Sequence, residues 1–164
     1  MRKLSILWLL VTLLRAPAWA QDAVSRVFVD HKNQTHVVYI SGQSTIVAPE
    51  PGEIGIDSVQ VTEDARTAGW LVLFENPDGG SPVAGVLLVW RDGKVARRFG
   101  TGQTFWSWGF FSHDAEVAFH TGPMHGETES HCELRSVASG RLIASWDGDL
   151  DNANRPEWTK VLDH

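Results

Sequence analysis

Residues 70–99, WLVLFENPDGGSPVAGVLLVWRDGKVARRF, and residues 117–146, VAFHTGPMHGETESHCELRSVASGRLIASW, share one arrangement of features. The second copy begins 47 residues after the first. Each copy contains a β-rich run, a Gly/Pro-containing loop, a second β-rich run, a tight turn and a third run. Self-similarity at such a spacing is the sequence signature of a repeated structural unit. The sequence therefore predicts a domain built from repeated small sheets.

Short runs of β-branched and aromatic residues, separated by turn residues, continue on both sides of the repeat. Beyond residue 20, no window keeps the i, i+3, i+4, i+7 apolar spacing of an amphipathic helix. The Asp92-Gly93 pair predicts a two-residue hairpin turn, and Ala138-Ser139-Gly140 lies at the equivalent place in the second copy. Two prolines make 48–55 a predicted loop. We predict ten strands, at 26–31, 36–41, 56–62, 69–75, 85–91, 94–99, 104–111, 115–121, 130–137 and 141–147.

The burial of individual strands can also be predicted. Trp70–Phe74 and Val86–Trp90 are apolar at every position, which is typical of strands buried on both faces. Alternation along a strand places Trp106 and Trp108 on one face and Phe105 on the other, with core packing as the expected role of these rings. The single cysteine, Cys132 in the second copy, is predicted to be a small core residue because a free cysteine behaves as a buried hydrophobe.

A family resemblance rests on three segments of the second half of the chain. Trp108–Phe119, WGFFSHDAEVAF, resembles the W-x-x-S-x-D-G-x-x-I-A-F run of WD40-like, TolB-type β-propeller repeats. Leu134–Leu142, LRSVASGRL, resembles the strand and turn that follow in that family, and Arg155–Trp158 resembles the start of a further blade. The resemblance covers about residues 56–158. It implies sheets arranged like propeller blades.

These observations predict an all-β fold of short antiparallel strands in blade-like sheets. At about 45 residues per unit, the chain beyond residue 20 supplies about three units, whereas closed propellers typically have 4–8 blades. We therefore expect an incomplete propeller-like stack, or a ring completed by homo-oligomerisation. An antiparallel barrel or sandwich is the structural alternative, because it too has many short strands.

The N-terminal segment predicts export. Arg2-Lys3 is followed by the apolar run Leu4–Leu14 and by Ala18-Trp19-Ala20, the pattern of a cleaved secretory signal peptide. The apolar run is shorter than the roughly 20 residues that a spanning helix needs. We expect a signal peptide at 1–20 and a single mature all-β domain at 21–164. That domain would be secreted or periplasmic, without membrane insertion after cleavage.

The charge of the chain bears on its partners. Three of the 14 basic residues lie in the signal segment, which leaves 11 against 20 acidic residues and a formal mature charge of −9. Nucleic acids and anionic membrane surfaces are therefore not expected partners. With one cysteine, the chain cannot form an internal disulfide.

Two groups of residues are candidate metal ligands. His120, His125 and His131 lie in or beside one loop and could converge on a transition metal; the alternative is solvated loop histidines. The acidic residues Asp147, Asp149 and Asp151 alternate with other residues, and alternating carboxylates suit calcium. Aspartate and asparagine also dominate ordinary turns, so a polar loop is the alternative at 147–154.

No catalytic residues are predicted. Ser112-His113-Asp114 contains the three residue types of a hydrolase triad, but consecutive side chains cannot adopt triad geometry. The segment instead predicts a tight turn. The expected function is a non-enzymatic exported binding or scaffolding module that holds a protein or peptide with a sheet edge or loop face. The alternatives are a metal-binding protein or metal-dependent enzyme that uses the His120–His131 loop, and a carbohydrate-binding protein that uses exposed tryptophan.

Overall fold

The structure, a computed structural model, describes residues 23–124 and 131–163. The predicted signal peptide therefore lies outside the described residues. No helix within these two ranges has the length and apolar character needed to cross a bilayer. The elements are β1 (Val24–Val29), β2 (Thr35–Tyr39), β3 (Ser44–Val47), β4 (Glu53–Val61), β5 (Thr67–Phe74), β6 (Val83–Arg91), β7 (Lys94–Phe99), β8 (Thr104–Phe111), β9 (Glu116–Gly122), β10 (His131–Ser136), β11 (Leu142–Asp147) and a C-terminal 3-10 helix (Glu157–Leu162).

The strands form three antiparallel sheets in which sequence neighbours pair. Sheet I is β1-β2-β3, sheet II is β4-β5-β6-β7 and sheet III is β8-β9-β10-β11. The prediction of an all-β fold with blade-like sheets is confirmed. Among the described residues no sheet closes on itself, so the barrel alternative is not formed. The two sequence copies correspond to strands β5–β7 and β9–β11.

The local predictions are confirmed with few exceptions. Asp92 and Gly93 have φ angles of 51° and 76°, and Arg91 pairs with Lys94, as a two-residue turn with two left-handed positions requires. Each of the ten predicted strands overlaps an observed strand. The prediction missed β3, and it extended the 48–55 loop over the first residues of β4, which begins at Glu53.

Sheet II lies between the other two sheets. Trp70 and Leu88 pack in a cluster with Val37 of sheet I, whereas Leu71 and Leu87 pack in a cluster with rings of sheet III. Successive residues of β5 and β6 thus bury opposite faces of sheet II. The prediction that these strands are buried on both sides is confirmed.

The outer face of sheet III is covered by the 3-10 helix. Trp158 and Leu162 of the helix cluster with Ala118, Cys132 and Leu134 of the sheet. Cys132 is fully buried, and desolvation raises the pKa of its thiol to about 11. It is therefore a core residue, as predicted, and its thiol stays protonated at neutral pH.

The alternation predicted for β8 is wrong. The pairing register shifts between Phe105 and Ser107, which inserts Trp106 as an extra residue. Phe105 and Trp108 consequently bury themselves in the same core between sheets II and III, while Trp106 keeps 51% of its surface exposed. The bulge reverses the face on which each later residue lies, so strict alternation fails.

Candidate functional site

Two equivalent turns approach each other at one end of sheets II and III. The first joins β4 to β5, and the second joins β8 to β9. They border an open cleft of 560 Å³, which we call the turn cleft. Its lining combines apolar, amide and acidic side chains: Gln60, Val61, Thr62, Glu63, Asp64, Phe110, His113 and Asp114.

The β4–β5 turn is fixed by its own side chains. The Asp64 carboxylate accepts hydrogen bonds from the Arg66 backbone N–H at 3.0 Å and from the Thr62 hydroxyl at 2.7 Å. The Arg66 N–H, followed by the Thr62 hydroxyl, lowers the pKa of Asp64 below its ordinary value. Ala65 has a φ of 56°, a left-handed conformation that non-glycine residues seldom adopt. The turn therefore holds a carboxylate that remains charged.

The β8–β9 turn is unusual in its backbone. Ser112, His113 and Asp114 have φ angles of 55°, 52° and 68°, so three consecutive residues are left-handed. This confirms the predicted turn. Asp114 is buried, and its carboxylate accepts hydrogen bonds from Thr67 at 2.6 Å and Arg91 at 3.2 Å. Strained backbone persists where surrounding contacts hold it, and these two bonds connect the turn to sheet II.

Side-chain contacts at the floor of the cleft also connect sheet II to sheet III. The Phe110 ring lies edge-on to Trp108, with centroids 5.2 Å apart and an interplanar angle of 81°. The Trp108 indole N–H donates to the Ser58 carbonyl at 2.9 Å, and the Gln60 amide donates to the Trp108 carbonyl at 2.8 Å. These bonds join β4 to β8 next to the cleft.

Among the described residues, the lining of the cleft carries acidic but no lysine or arginine side chains. Glu63 and Asp64 are exposed at the rim, whereas Arg91 offsets the charge of buried Asp114. Val61 and Phe110 supply apolar surface beside them. Asp64 also interacts with the charges of Arg66 and Arg91. An apolar surface next to exposed carboxylates suits a group with an aliphatic stem and a cationic head.

The predicted transition-metal ligands are not brought together on one face. His120 pairs with Cys132 across β9 and β10, and His131 pairs with Thr121. Cross-strand partners share a face and neighbours along a strand alternate, so His120 and His131 lie on opposite faces. His125 lies outside the described residues. Within residues 23–124 and 131–163, no three His, Cys, Asp or Glu side chains are placed to hold a metal ion.

The predicted calcium ligands make other contacts. The Asp147 carboxylate contacts His131 Nδ1 at 2.5 Å. The Asp149 side chain accepts a hydrogen bond from the Asp151 N–H at 2.9 Å, and the Asn152 side chain accepts one from the Asn154 N–H at 2.9 Å. Such bonds are typical of Asx turns. They support the polar-loop alternative.

A second cleft, of 520 Å³, lies at the opposite end of the strands and includes Phe74, Val83 and Met124 in its lining. Met124 is the last described residue before 125–130, and no site is assigned to this cleft. The exposed ring of Trp106 is the feature on which the carbohydrate-binding alternative depends, and that alternative stays a prediction.

The comparisons with known proteins found no family model that matches this chain and no curated protein similar to it. The turn cleft therefore has to be judged on its own chemistry. The sequence predicted the Ser112-His113-Asp114 turn but did not single out Glu63 or Phe110 as site residues. The signal for the cleft was the equivalent placement of Thr62-Glu63-Asp64 and Ser112-His113-Asp114 between the first and second strands of consecutive sheets.

Proposed function

We propose that this protein is a non-enzymatic binding module that holds a basic segment of a partner protein in the turn cleft. The observation that carries the proposal is a preformed cleft of 560 Å³ with an apolar floor and an acidic rim. A lysine or arginine side chain would lay its stem along Val61 and Phe110 and place its charge beside Glu63 and Asp64. Such a cation above the Phe110 ring gains further attraction from the aromatic face.

The rigidity of the cleft supports this function. Asp64 and Asp114 each hold their turn through two hydrogen bonds, so binding would require little ordering of the protein. A site that is ordered before binding loses less conformational entropy in the complex.

Charge and sequence context support the same proposal. The predicted mature chain has a formal charge of −9, which attracts basic partners over a distance set by ionic strength. The signal peptide prediction would place the partner in the periplasm or outside the cell. The resemblance to propeller repeats is consistent with a binding role, although a fold alone does not establish a function.

A charge reversal at the rim tests the proposal. The mature protein would be titrated with fluorescent peptides that carry one central lysine, arginine, glutamate or alanine between aromatic residues. We expect the basic peptides to bind more tightly than the others, and more weakly as salt increases. Glu63→Lys should weaken this binding about tenfold, because it places like charge at the rim.

Glu75→Lys is the matched control, since Glu75 is exposed on the loop at the opposite end of sheet II. It makes the same change in net charge and should leave binding within about twofold of the wild type, because exposed charges farther apart than the ~10 Å Debye length are largely screened. Equal binding of acidic and basic peptides, or equal losses in the two variants, would contradict the proposal. An absence of binding to every peptide would contradict it as well.

A further inference from the structure

The free edge of β3 differs from the other sheet edges. Sheet I has three strands where sheets II and III have four. Among the described residues, β3 pairs with β2 alone, so one side of its backbone faces no strand. An unpaired edge presents a row of N–H and C=O groups that can template another strand.

The ladder between β2 and β3 identifies the unpaired groups. The Tyr39 N–H donates to the Gln43 carbonyl at 2.9 Å. In an antiparallel ladder, hydrogen-bonded pairs alternate with pairs that do not exchange bonds. The N–H and C=O groups of Ser44 and Ile46 therefore point to the free edge. Both residues are exposed, Ile46 to 50%.

The other five edge strands are protected against strand addition. Each has a shift in its pairing register, which marks a bulge: at Ser25 in β1, Ile54 in β4, Ala96 in β7, Trp106 in β8 and Ile143 in β11. Bulges twist an edge away from a flat partner, and charged side chains also discourage pairing. By contrast β3, with sequence STIV, pairs in regular register and carries no charge.

The outer face beside this edge is ordered and presents an aliphatic side chain and two stacked rings. Ile46, His36 and Phe28 form one cross-strand row. The Phe28 and His36 rings are stacked, with centroids 5.0 Å apart and an interplanar angle of 7°. A strand added beside β3 would place every second side chain in line with this row. Apolar side chains at those positions would extend it.

We propose that the β3 edge binds an extended, uncharged segment of a partner protein as a fourth strand of sheet I. Main-chain hydrogen bonds to Ser44 and Ile46 would supply affinity, and the row ending at Ile46 would select apolar side chains at alternate positions. A four-residue strand spans roughly 13 Å, which is short for the ~800 Å² per partner of a standard protein interface. A peptide segment therefore fits the edge better than a second copy of this chain. The site is separate from the turn cleft and does not depend on it.

The probe is a hexapeptide of alternating valine and threonine with a fluorescent label on its N-terminus, added to the mature protein. We expect slower hydrogen exchange at the Ser44 and Ile46 amides and measurable binding by fluorescence anisotropy. Ile46→Pro removes an outward N–H that no other described strand uses, so the fold should be retained, as urea unfolding would verify. It should weaken binding at least tenfold, whereas Ile46→Thr, which keeps the N–H, should change it by less than threefold.

A modified peptide and a second protein variant distinguish strand addition at β3 from other modes of binding. Methylating the peptide nitrogens that face β3 should abolish binding, whereas Glu63→Lys should leave it unchanged. Equal binding to wild type and Ile46→Pro would overturn the proposal, and so would no protection of the two amides. If the same amides become protected without peptide as protein concentration rises, and light scattering gives a dimer mass, the edge binds a second copy instead.

Discussion

Sheets I and III flank the same central sheet, but their outer faces differ. On sheet III the 3-10 helix buries Trp158 to 9% exposure against Leu134 and Cys132. On sheet I the corresponding surface keeps Phe28 at 39% and Ile46 at 50% exposure. The comparison shows that a six-residue helix is sufficient to cover the core residues on the outer face of sheet III, at one end of the stack. It also shows that the other end presents an aromatic surface to solvent.

The exposed end is nevertheless ordered. The Arg26 guanidinium lies 5.2 Å from the centre of the Phe28 ring, and the His36 ring stacks on the same phenyl ring. Asp30 accepts hydrogen bonds from the Gln34 N–H and from His36, which together lower the pKa of Asp30 to about 2. The side chains of this face therefore hold one another in place, and no element of the described part of the chain covers them.

The largest predicted difference is in unfolding free energy. It comes from removing one aromatic ring at the outer face of sheet III and one at the outer face of sheet I. Trp158→Ala should lower the free energy of unfolding by about 3–5 kcal/mol, because it leaves a cavity beneath the helix. Phe28→Ala should lower it by under about 1 kcal/mol, since the ring is partly exposed and its loss leaves no cavity. Urea unfolding of the mature protein measures both. Equal losses would mean that the face of sheet I is covered in solution.

The closeness of the helix to sheet III gives a second, smaller test. A Cβ atom at Gly109 would lie 2.7 Å from the Val161 carbonyl oxygen, which belongs to the backbone. Gly109→Ala should therefore displace the helix and cost about 1–3 kcal/mol of unfolding free energy. The control is Gly55→Ala on β4, whose new Cβ would meet Leu73 at an ordinary 3.8 Å. A neutral Gly109→Ala variant would show that the helix is not held at this distance.

Much of this fold could be predicted because its signals are local. The Asp92-Gly93 turn and the apolar runs Trp70–Phe74 and Val86–Trp90 each specify their structure within a few residues. Strand β3 escaped prediction because four residues between Gly42 and two prolines resemble a loop. The bulge at Trp106 escaped because the pairing register depends on β9, which is not visible in the sequence of β8.

The turn cleft was less predictable because it depends on contacts between sheets. Asp114 bonds to Thr67 and Arg91, which are 47 and 23 residues away in the chain. Short-range patterns describe each turn separately and do not reveal that two turns border one cleft. The metal-site predictions rested on proximity in sequence, and the strand register places His120 and His131 on opposite faces. With His125 outside the described residues, a metal site at this loop stays a prediction.

The histidines on the two faces of sheet III have pKa values that are shifted in opposite directions. This difference gives the smallest predicted effect. Hydrogen bonding first to Asp147 and then to Glu133 raises the pKa of His131, whereas burial lowers the pKa of His120. NMR titration should place the pKa of His131 above the ordinary value of about 6.5 and that of His120 below it. Asp147→Asn should lower the pKa of His131 and serves as the matched control.

The two pKa shifts change the unfolding free energy with pH in opposite directions. The stabilisation from charged His131 is fully present below about pH 6.5 and is lost as the pH rises through its raised folded pKa. The stabilisation from neutral His120 is present above about pH 6.5 and is lost as the pH falls through that value and through its lowered folded pKa. The difference in unfolding free energy between wild type and His131→Asn should therefore shrink between about pH 6 and pH 8. A difference that grows over that range would mean that the Asp147 contact is not maintained in solution.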